Sequence, residues 1–463
     1  MSIPDAAVES VVLDLRAVLL RSIQASRATQ GDFAQLEHVL RRTILAARRL
    51  LVDCLLSASA ESAGGFACPA CGEALRVHGR RPRTIVTSCG EGTYESVRYR
   101  CLSCEMDHYP VEVANGLDGG STYTPDAKGL VAELASDMPF GRAASWASRM
   151  GVPVSGKEVD RLVQEVASWR KEEELEARRI ADGNVMQGRE EVAPSLHDWS
   201  GWSPTDVAVI SVDGAMVRST SHDAEGRLEW FECRTGIVAP ADEKSKGATH
   251  YVAGVKSVDD LFAQLRAVLQ SDPRKGRRRQ FIADGAECFW PRAAVYFPTA
   301  RQSLDIYHAG GHIGQAATAC WGSGSPVTDR WKREARRMLL EPEGPEKVRE
   351  ELWRELATGN AHNLDDLERE VKYLDEHKDR MPYAELHAKG LPVGSGAMES
   401  AVKQTTAARM RMPGMKWTRR GADDMLCLRA TCLSGALNAM IVRWQGQLQA
   451  AAMPYRRLAP APA

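Results

Sequence analysis

Hydrophobic positions change their period more than once along the chain. In residues 7–56 the apolar side chains Val11, Leu13, Leu15, Val18 and Leu20, then Leu36, Val39, Leu40, Ile44 and Leu50, recur near the 3.6-residue period and predict helix. A Ser/Ala/Gly stretch, 57–65, interrupts that pattern and reads as a linker. Residues 124–170 return to helical spacing in two or three short runs. A charged helix over 170–180 and a Gly/Ser/Pro-containing stretch to residue 204 predict the next boundary.

From residue 206 the period is that of strands. Residues 207–217 are almost continuously apolar, as a central strand buried on both faces should be. Residues 227–238 and 250–255 read as two further strands, the first reached through the turn-like His222–Gly226 stretch. Residues 259–270 predict an amphipathic helix with Leu261, Leu265 and Val268 on one face; 279–283 a strand; 287–296 a helix; and 303–307 a strand. Three meander strands followed by strand–helix alternation is the order of an RNase H-like layer, a mixed sheet with helices packed on it. Helical spacing returns over 312–388, with Leu364, Leu367, Val371 and Leu374 on one face and Trp331, Ala335 and Met338 behaving alike. Gly394-Ser395-Gly396 breaks the chain, and a new helix begins near Met398.

The predicted fold class is therefore α/β in the wide, multidomain α+β sense. The expected order is an N-terminal helical region (1–60), a small cysteine module (66–112), a helix–turn–helix-like region (124–180), the first part of a mixed-sheet core (205–310), an all-helical insertion (311–393) and the last part of the core with basic C-terminal helices (394–450). A length of 463 residues, 44% hydrophobic and 26% charged, suits such a multidomain globular chain and excludes collagenous or wholly disordered classes. No run of 18 apolar residues predicts a membrane span, and Met1-Ser2-Ile3-Pro4-Asp5 predicts no secretory signal, so a cytoplasmic protein is expected.

Charge adds a further clue. Lys plus Arg total 60 and Asp plus Glu 61, yet residues 401–463 hold 10 Lys/Arg against 2 Asp/Glu, while 341–400 hold 8 against 15. Such asymmetry fits a surface of which one part meets a polyanion; two solvated helix faces are the plainer account.

Cys68-Pro69-Ala70-Cys71 and Cys101-Leu102-Ser103-Cys104 present two Cys-x-x-Cys knuckles, the donor set of a closed structural zinc site. The 29 residues between Cys71 and Cys101 exceed the usual spacer, and strands at 84–87 and 96–100 would fold them into a zinc ribbon. Cys89, His78 and His108 are alternative ligands, and four reduced thiols or a redox pair are the other readings. In 143–169 two helices flank the turn Met150–Ser155, so Lys157 and Arg161 could face DNA; an ordinary helical hairpin fits as well.

Acids at expected element ends are the catalytic candidates: Asp213 in Ser211-Val212-Asp213-Gly214, Asp284 in Phe281-Ile282-Ala283-Asp284-Gly285, Asp305 in Leu304-Asp305-Ile306-Tyr307-His308, and Glu399 after Gly394-Ser395-Gly396. Each alone reads as a turn or a helix-dipole residue. Together they are the carboxylates a two-metal phosphodiester site needs, with a glycine after Asp213 and after Asp284 leaving room for metal and substrate. His308 could orient a phosphate or move a proton. Lys403 lies one turn after Glu399 and could contact phosphate or pair with that acid.

Asp213-Gly214-Ala215, Asp284-Gly285-Ala286, Leu304–His308, Gly394–Glu399 and Arg411-Met412-Pro413-Gly414-Met415-Lys416-Trp417 together resemble the bacterial insertion-sequence DDE transposases of the Kra type, relatives of the Mutator-like group. The resemblance spans about residues 206–434. It implies an RNase H-like catalytic domain, Asp213, Asp284 and Glu399 as a triad for two Mg²⁺ (or Mn²⁺) ions, a helical insertion between the second acid and Glu399, and one structural Zn²⁺. Double-stranded DNA, as element ends and target, would be the partner, bound by a homodimer or higher oligomer at the nucleoid. Lys403, Arg409, Arg411, Lys416, Arg419 and Arg420 are the best phosphate contacts near the acids, and Trp417 could stack on a base or simply pack on Met415. Two other classes remain open: a transposase-derived zinc-ribbon regulator without catalysis, and an RNase H-like nuclease that cleaves without strand transfer.

Overall fold

The computed structural model describes residues 5–27, 33–61, 65–114, 117, 121–187, 196–242, 244–274, 276–452 and 455. The chain divides into two compact units, Met1–Trp169 with Leu437–Ala463, and Arg170–Ala436. Both helix and sheet are present: a three-stranded antiparallel sheet in the first unit and a five-stranded mixed sheet in the second.

In the first unit, helices Asp5–Arg27 and Phe33–Glu61 form the N-terminal region. The second overruns the expected linker at 57, because serine and alanine continue a helix and no glycine or proline intervenes before Gly64. Strands β1 (Arg76–Thr87) and β2 (Gly90–Arg100) then make a hairpin, joined by the short β3 (Asp107–His108). Both long strands begin well before the expected 84–87 and 96–100. Their alternation is hidden in the sequence because arginine, not an apolar residue, occupies one face.

Helices Pro125–Asp137 and Phe140–Arg149 follow, the former capped by Thr124, whose hydroxyl accepts the Ala127 N–H. Lys128 is buried, paired with Glu165 and 5.0 Å from the Trp444 ring centre. The helix Gly156–Gln187 is continuous where two segments were expected at 157–169 and 170–180. Nothing breaks it there, and Arg170 ties successive turns through Glu173 and Glu174 at 3.3 Å. Residues 394–450 were expected as one block of the core. Instead the helix Arg419–Leu433 stops at Gly435, whose φ of 66° ends it, and the helix Leu437–Ala452 belongs to the first unit.

The second unit is built on β4 (Ala208–His222), β5 (Leu228–Pro240), β6 (His250–Gly254), β7 (Arg279–Ala283) and β8 (Ala300–Leu304). Their order in the sheet is β6-β5-β4-β7-β8, with β4, β5 and β6 antiparallel and β7 and β8 parallel to β4. Ile210, Val212, Phe281 and Leu304 face a core shared with Phe262, Leu265, Trp290 and Ile313. The opposite face receives the helix Gly396–Val402 through Met398 and Ala401, which pack on Ile237 and Ala239. The strand expected at 303–307 ends at Leu304, and the helix Ile306–Trp321 begins at once. Asp305 caps it, accepting the Tyr307 N–H at 2.8 Å, which overrides the strand propensity of Ile306 and Tyr307. The all-helical segment therefore starts five residues before the expected 311. It continues through Pro326–Met338, Gly344–Thr358, Leu364–Glu376 and Tyr383–Ala388.

A buried ionic network lies beside the sheet. Glu174 meets Gln264 at 2.6 Å, Arg170 at 3.3 Å and Lys256 at 3.4 Å. Burial opposes the Glu174 charge, yet Lys256 and Arg170 hold its carboxyl below the usual range. Among the described residues no single helix is long and apolar enough to cross a membrane.

Candidate active site and metal centre

Strand register decides where the acids stand. β4 pairs β7 from Ala208 opposite Arg279 to Ser211 opposite Ile282, and continuing that step sets Asp213 beside Asp284. β7 pairs β8 up to Ala283 opposite Leu304, which sets Asp305 next in the same row. Asp284 and Asp305 follow their strands directly. Asp213 does not end its strand: β4 runs on to His222 against β5. What ends at Ser211 is pairing with β7, so Asp213 stands where β4 loses its parallel neighbour.

Asp213 opposes Thr235, and directly opposed residues share a face. The Thr235 hydroxyl lies 3.1 Å from that of Thr405, on the helical stretch that continues Gly396–Val402 through one π-helical turn at 403–407. Asp213 therefore faces the side of the sheet on which the Glu399 helix packs. Its carboxylate accepts the Gly214 N–H at 2.6 Å. Burial pushes its pKa up, and the charges of Asp284 and Glu232 add to that, against the lowering effect of the backbone bond and of His308. Asp284 accepts the Ala286 N–H at 3.1 Å. His308 is exposed on the first turn of Ile306–Trp321, close enough to act on Asp213.

Glu399 is placed differently. It lies in the first turn of Gly396–Val402, its side chain 70% exposed and 2.7 Å from Lys403. The pairing alternative for Lys403 is thus the arrangement present.

Sequence reasoning named Asp305 as an acid candidate but missed its part, and those of Ser395 and Gln280, in holding this edge together. Asp305 is buried, and its carboxylate receives the Ser395 hydroxyl as well as the Tyr307 N–H. The Ile306 N–H bonds the Val393 carbonyl at 3.0 Å, and Gln280 Nε2 bonds the Pro392 carbonyl at 2.7 Å. Residues 392–395, the approach to the Glu399 helix, are held at three points, by Asp305, by Ile306 and by the Gln280 side chain near the start of β7. Serine inside Gly394-Ser395-Gly396 was the available signal. The glycines after the acids also serve another purpose than the one expected. A Cβ on Gly214 would lie 2.2 Å from Glu232 Oε1, and one on Gly285 1.7 Å from the Tyr373 hydroxyl. The room they leave is filled by protein.

The four cysteines of the ribbon converge. Their sulfurs lie within 4.8 Å of one another, Cys71 Sγ to Cys101 Sγ at 3.5 Å and Cys68 Sγ to Cys104 Sγ at 4.0 Å. Tetrahedral zinc with bonds of about 2.3 Å spaces its sulfurs about 3.8 Å apart, so the donor set fits that ion. Burial opposes ionisation of Cys68, but the Ala70 and Cys71 backbone N–H groups and neighbouring thiols lower its pKa to about 7, while Cys71 and Cys101 push Cys104 up to about 12. His108 Nε2 stands 3.7 Å from Cys68 Sγ and its Nδ1 3.1 Å from the Tyr455 hydroxyl, beside the four sulfurs and outside the set. His78 and Cys89 do not join it either, and this is the one cluster of three or more such ligands among the described residues.

The expected DNA contacts divide by burial. Arg409 is 1% exposed, 5.0 Å from the Trp417 ring centre, with Nη1 3.2 Å from Met415 Sδ. Trp417 is itself buried, its indole N–H bonded to the Met410 carbonyl at 3.1 Å and its backbone bridged to β4 at Arg218 and Thr220. Both are internal packing, because the 410–418 turn folds back onto the β4 hairpin. Arg411, Lys416, Arg419 and Arg420 remain exposed, Arg411 donating to the Met216 carbonyl at 2.9 Å. Lys157 is exposed; Arg161 is exposed but engaged by Glu158 at 2.6 Å and Glu165 at 3.1 Å. No protein-family model matches the sequence, and comparison with curated proteins returns no match.

Proposed function

We propose that the protein is a DNA transposase that cleaves phosphodiester bonds at the ends of its own element and joins the freed 3′-hydroxyl to target DNA. The observation that carries this reading is the row formed by Asp213 on β4 and Asp284 just after the parallel β7 of a β6-β5-β4-β7-β8 sheet, with the Glu399 helix on the face that Asp213 shares. That strand order and the helices between β8 and Glu399 support an RNase H-like catalytic fold with a helical insertion.

Asp213 and Asp284 offer the hard oxygen donors that Mg²⁺ or Mn²⁺ takes, and Mg²⁺ commonly binds through one or two carboxylates and several waters. Such a cation, when bound, supplies the acidity that makes water a nucleophile and neutralises the leaving oxygen. The chain's own groups do the rest. Asp213, whose burial disfavours its charge, gains an anion's full stability only beside a cation. His308 stands beside this edge and orients a scissile phosphate or carries its proton. Asp305 fixes the approach to Glu399 through Ser395. Glu399, now paired with Lys403, would be the third carboxylate of the set. The four cysteines hold one structural zinc, and exposed Arg411, Lys416, Arg419 and Arg420 contact phosphate.

One observation favours a second reading, a DNA-binding regulator without catalysis: Glu399 faces solvent in an ion pair with Lys403. Purified protein incubated with Mg²⁺, a duplex carrying the DNA that flanks its gene, and a supercoiled target separates the readings. The transposase produces nicks ending in 3′-hydroxyl and joined products. Nicks without joining indicate a nuclease, and binding without nicks a regulator.

A further inference from the structure

The ribbon hairpin carries a second feature, on the side away from its thiols. Arg76 opposes Arg100, Gly79 opposes Arg98, Arg81 opposes Ser96 and Arg83 opposes Tyr94. Alternation along β2 puts Tyr94, Ser96, Arg98 and Arg100 on one face, so Arg76, Arg81 and Arg83 share it. Side-chain contacts agree. Asp107 reaches Arg98 at 3.5 Å and Arg100 at 3.3 Å, and Glu112 receives Arg83, Tyr94 and Ser96. The other face carries Val97 and Tyr99, which pack with Phe66, Leu75, Cys68 and Cys101 around the metal site. Zinc site and arginines thus occupy opposite faces of one hairpin.

Arg83 is consumed internally by the buried Glu112. Arg76 and Arg81 are exposed and have no acidic partner among the described residues. Arg98 and Arg100 are 41% and 34% exposed and share Asp107. Four cations therefore stand against one carboxylate. The row from Arg76 to Arg81 runs on the order of 15 Å, a length over which a duplex carries roughly nine phosphate charges. The planar guanidinium fork matches phosphate geometry. Tyr94, the aromatic residue on this face of β2, is 6% exposed, with its hydroxyl bonded to Glu112 at 2.8 Å. A single strand would want exposed rings to stack on.

We propose that the arginine face of the β1–β2 hairpin, centred on Arg76, Arg81, Arg98 and Arg100, docks on the phosphate backbone of double-stranded DNA. It deepens the DNA-binding part of the function proposed above and does not require catalysis. The sequence does not announce it, because the alternation is visible only once the bulge between Val77 and Gly79 is known.

The test is the salt dependence of binding by the full-length protein to a short mixed-sequence duplex, read by fluorescence anisotropy. Arg76→Gln with Arg81→Gln should lower the log–log salt slope by about 2, with zinc content unchanged at one per chain. Arg80→Gln, on the opposite face beside Glu95, should leave the slope at its wild-type value. An unchanged slope in the double variant, an equal fall in Arg80→Gln, or tighter binding of single-stranded RNA than of duplex overturns the proposal. If the wild type joins no DNA while the double variant still flattens the slope, the transposase reading fails and this one stands. If joining is intact and the slope unmoved, only this one falls.

Discussion

The four ribbon sulfurs lie within 4.8 Å of one another, whereas Asp213 and Asp284 stand side by side with Glu399 turned to Lys403. The first site is assembled by a hairpin whose two knuckles meet at its base, and its ligands crowd four ionisable thiols together. The second is spread over two strands and a helix more than a hundred residues downstream, with one buried acid already disfavoured as an anion. On the reading proposed above, the first would hold a cation that builds a fold and the second one that arrives with its substrate. Binding of a structural metal supplies folding free energy, whereas a catalytic metal binds a scaffold that stands without it.

The largest effect should come from the thiols. Cys68→Ser with Cys71→Ser should remove the zinc, whose apparent binding is worth about 10–16 kcal/mol in small zinc domains. Elemental analysis should fall from one zinc per chain to background, with protease cutting within residues 66–110. Full zinc content in this variant would break the comparison at its firmer end.

A second break-point is Asp305. Alanine there removes a buried carboxylate that caps Ile306–Trp321 and receives the Ser395 hydroxyl. Loss of a cap and a charged hydrogen bond should cost about 2–3 kcal/mol in denaturant unfolding. Unchanged stability would mean that the 392–395 segment is held by its backbone bonds alone.

Asp213 gives a smaller effect of opposite sign. Its folded pKa lies above the ordinary value through burial and Asp284, so it favours the fold at low pH and that benefit is lost as pH rises through the folded pKa. At pH 7 without divalent metal, Asp213→Asn should raise the unfolding midpoint by roughly 2–4 °C, the equivalent of ~1 kcal/mol in a unit of this size. Added Mg²⁺ should stabilise the wild type and not the variant. A destabilised variant would show that the acid edge, like the ribbon, is structural.

The smallest effect separates two neighbouring cations. Lys416→Gln should lower the DNA salt slope by about 1 with stability unchanged. Arg409→Gln should leave the slope alone and lower stability, because Arg409 is buried on Trp417.

Much of this was legible in the sequence because each part announced itself locally. The Cys-x-x-Cys knuckles, the apolar run of β4 and the heptad-like spacing of Leu367, Val371 and Leu374 are short-range signals, and the structure has the corresponding elements. What was not legible depends on pairing. That Asp213 lies mid-strand and that Gly214 and Gly285 make way for Glu232 and Tyr373 follow from contacts between separate segments, and Arg409 turns inward because the turn bearing Met415 and Trp417 folds back onto β4. The Ile306–Trp321 helix was misread for a related reason: Ile306 and Tyr307 favour a strand in isolation, and only the Asp305 cap and the Val393 bond decide otherwise.

The most direct test of the central claim is cleavage of a duplex carrying the gene's flanking ends, in Mg²⁺, by wild type, Asp213→Ala and Asp284→Ala, with binding of the same duplex measured alongside. The account predicts 3′-hydroxyl nicks from the wild type, a loss of at least about 1,000-fold in each variant, and binding within about twofold of wild type, since phosphate contacts lie elsewhere. Undiminished cleavage by either variant would contradict it.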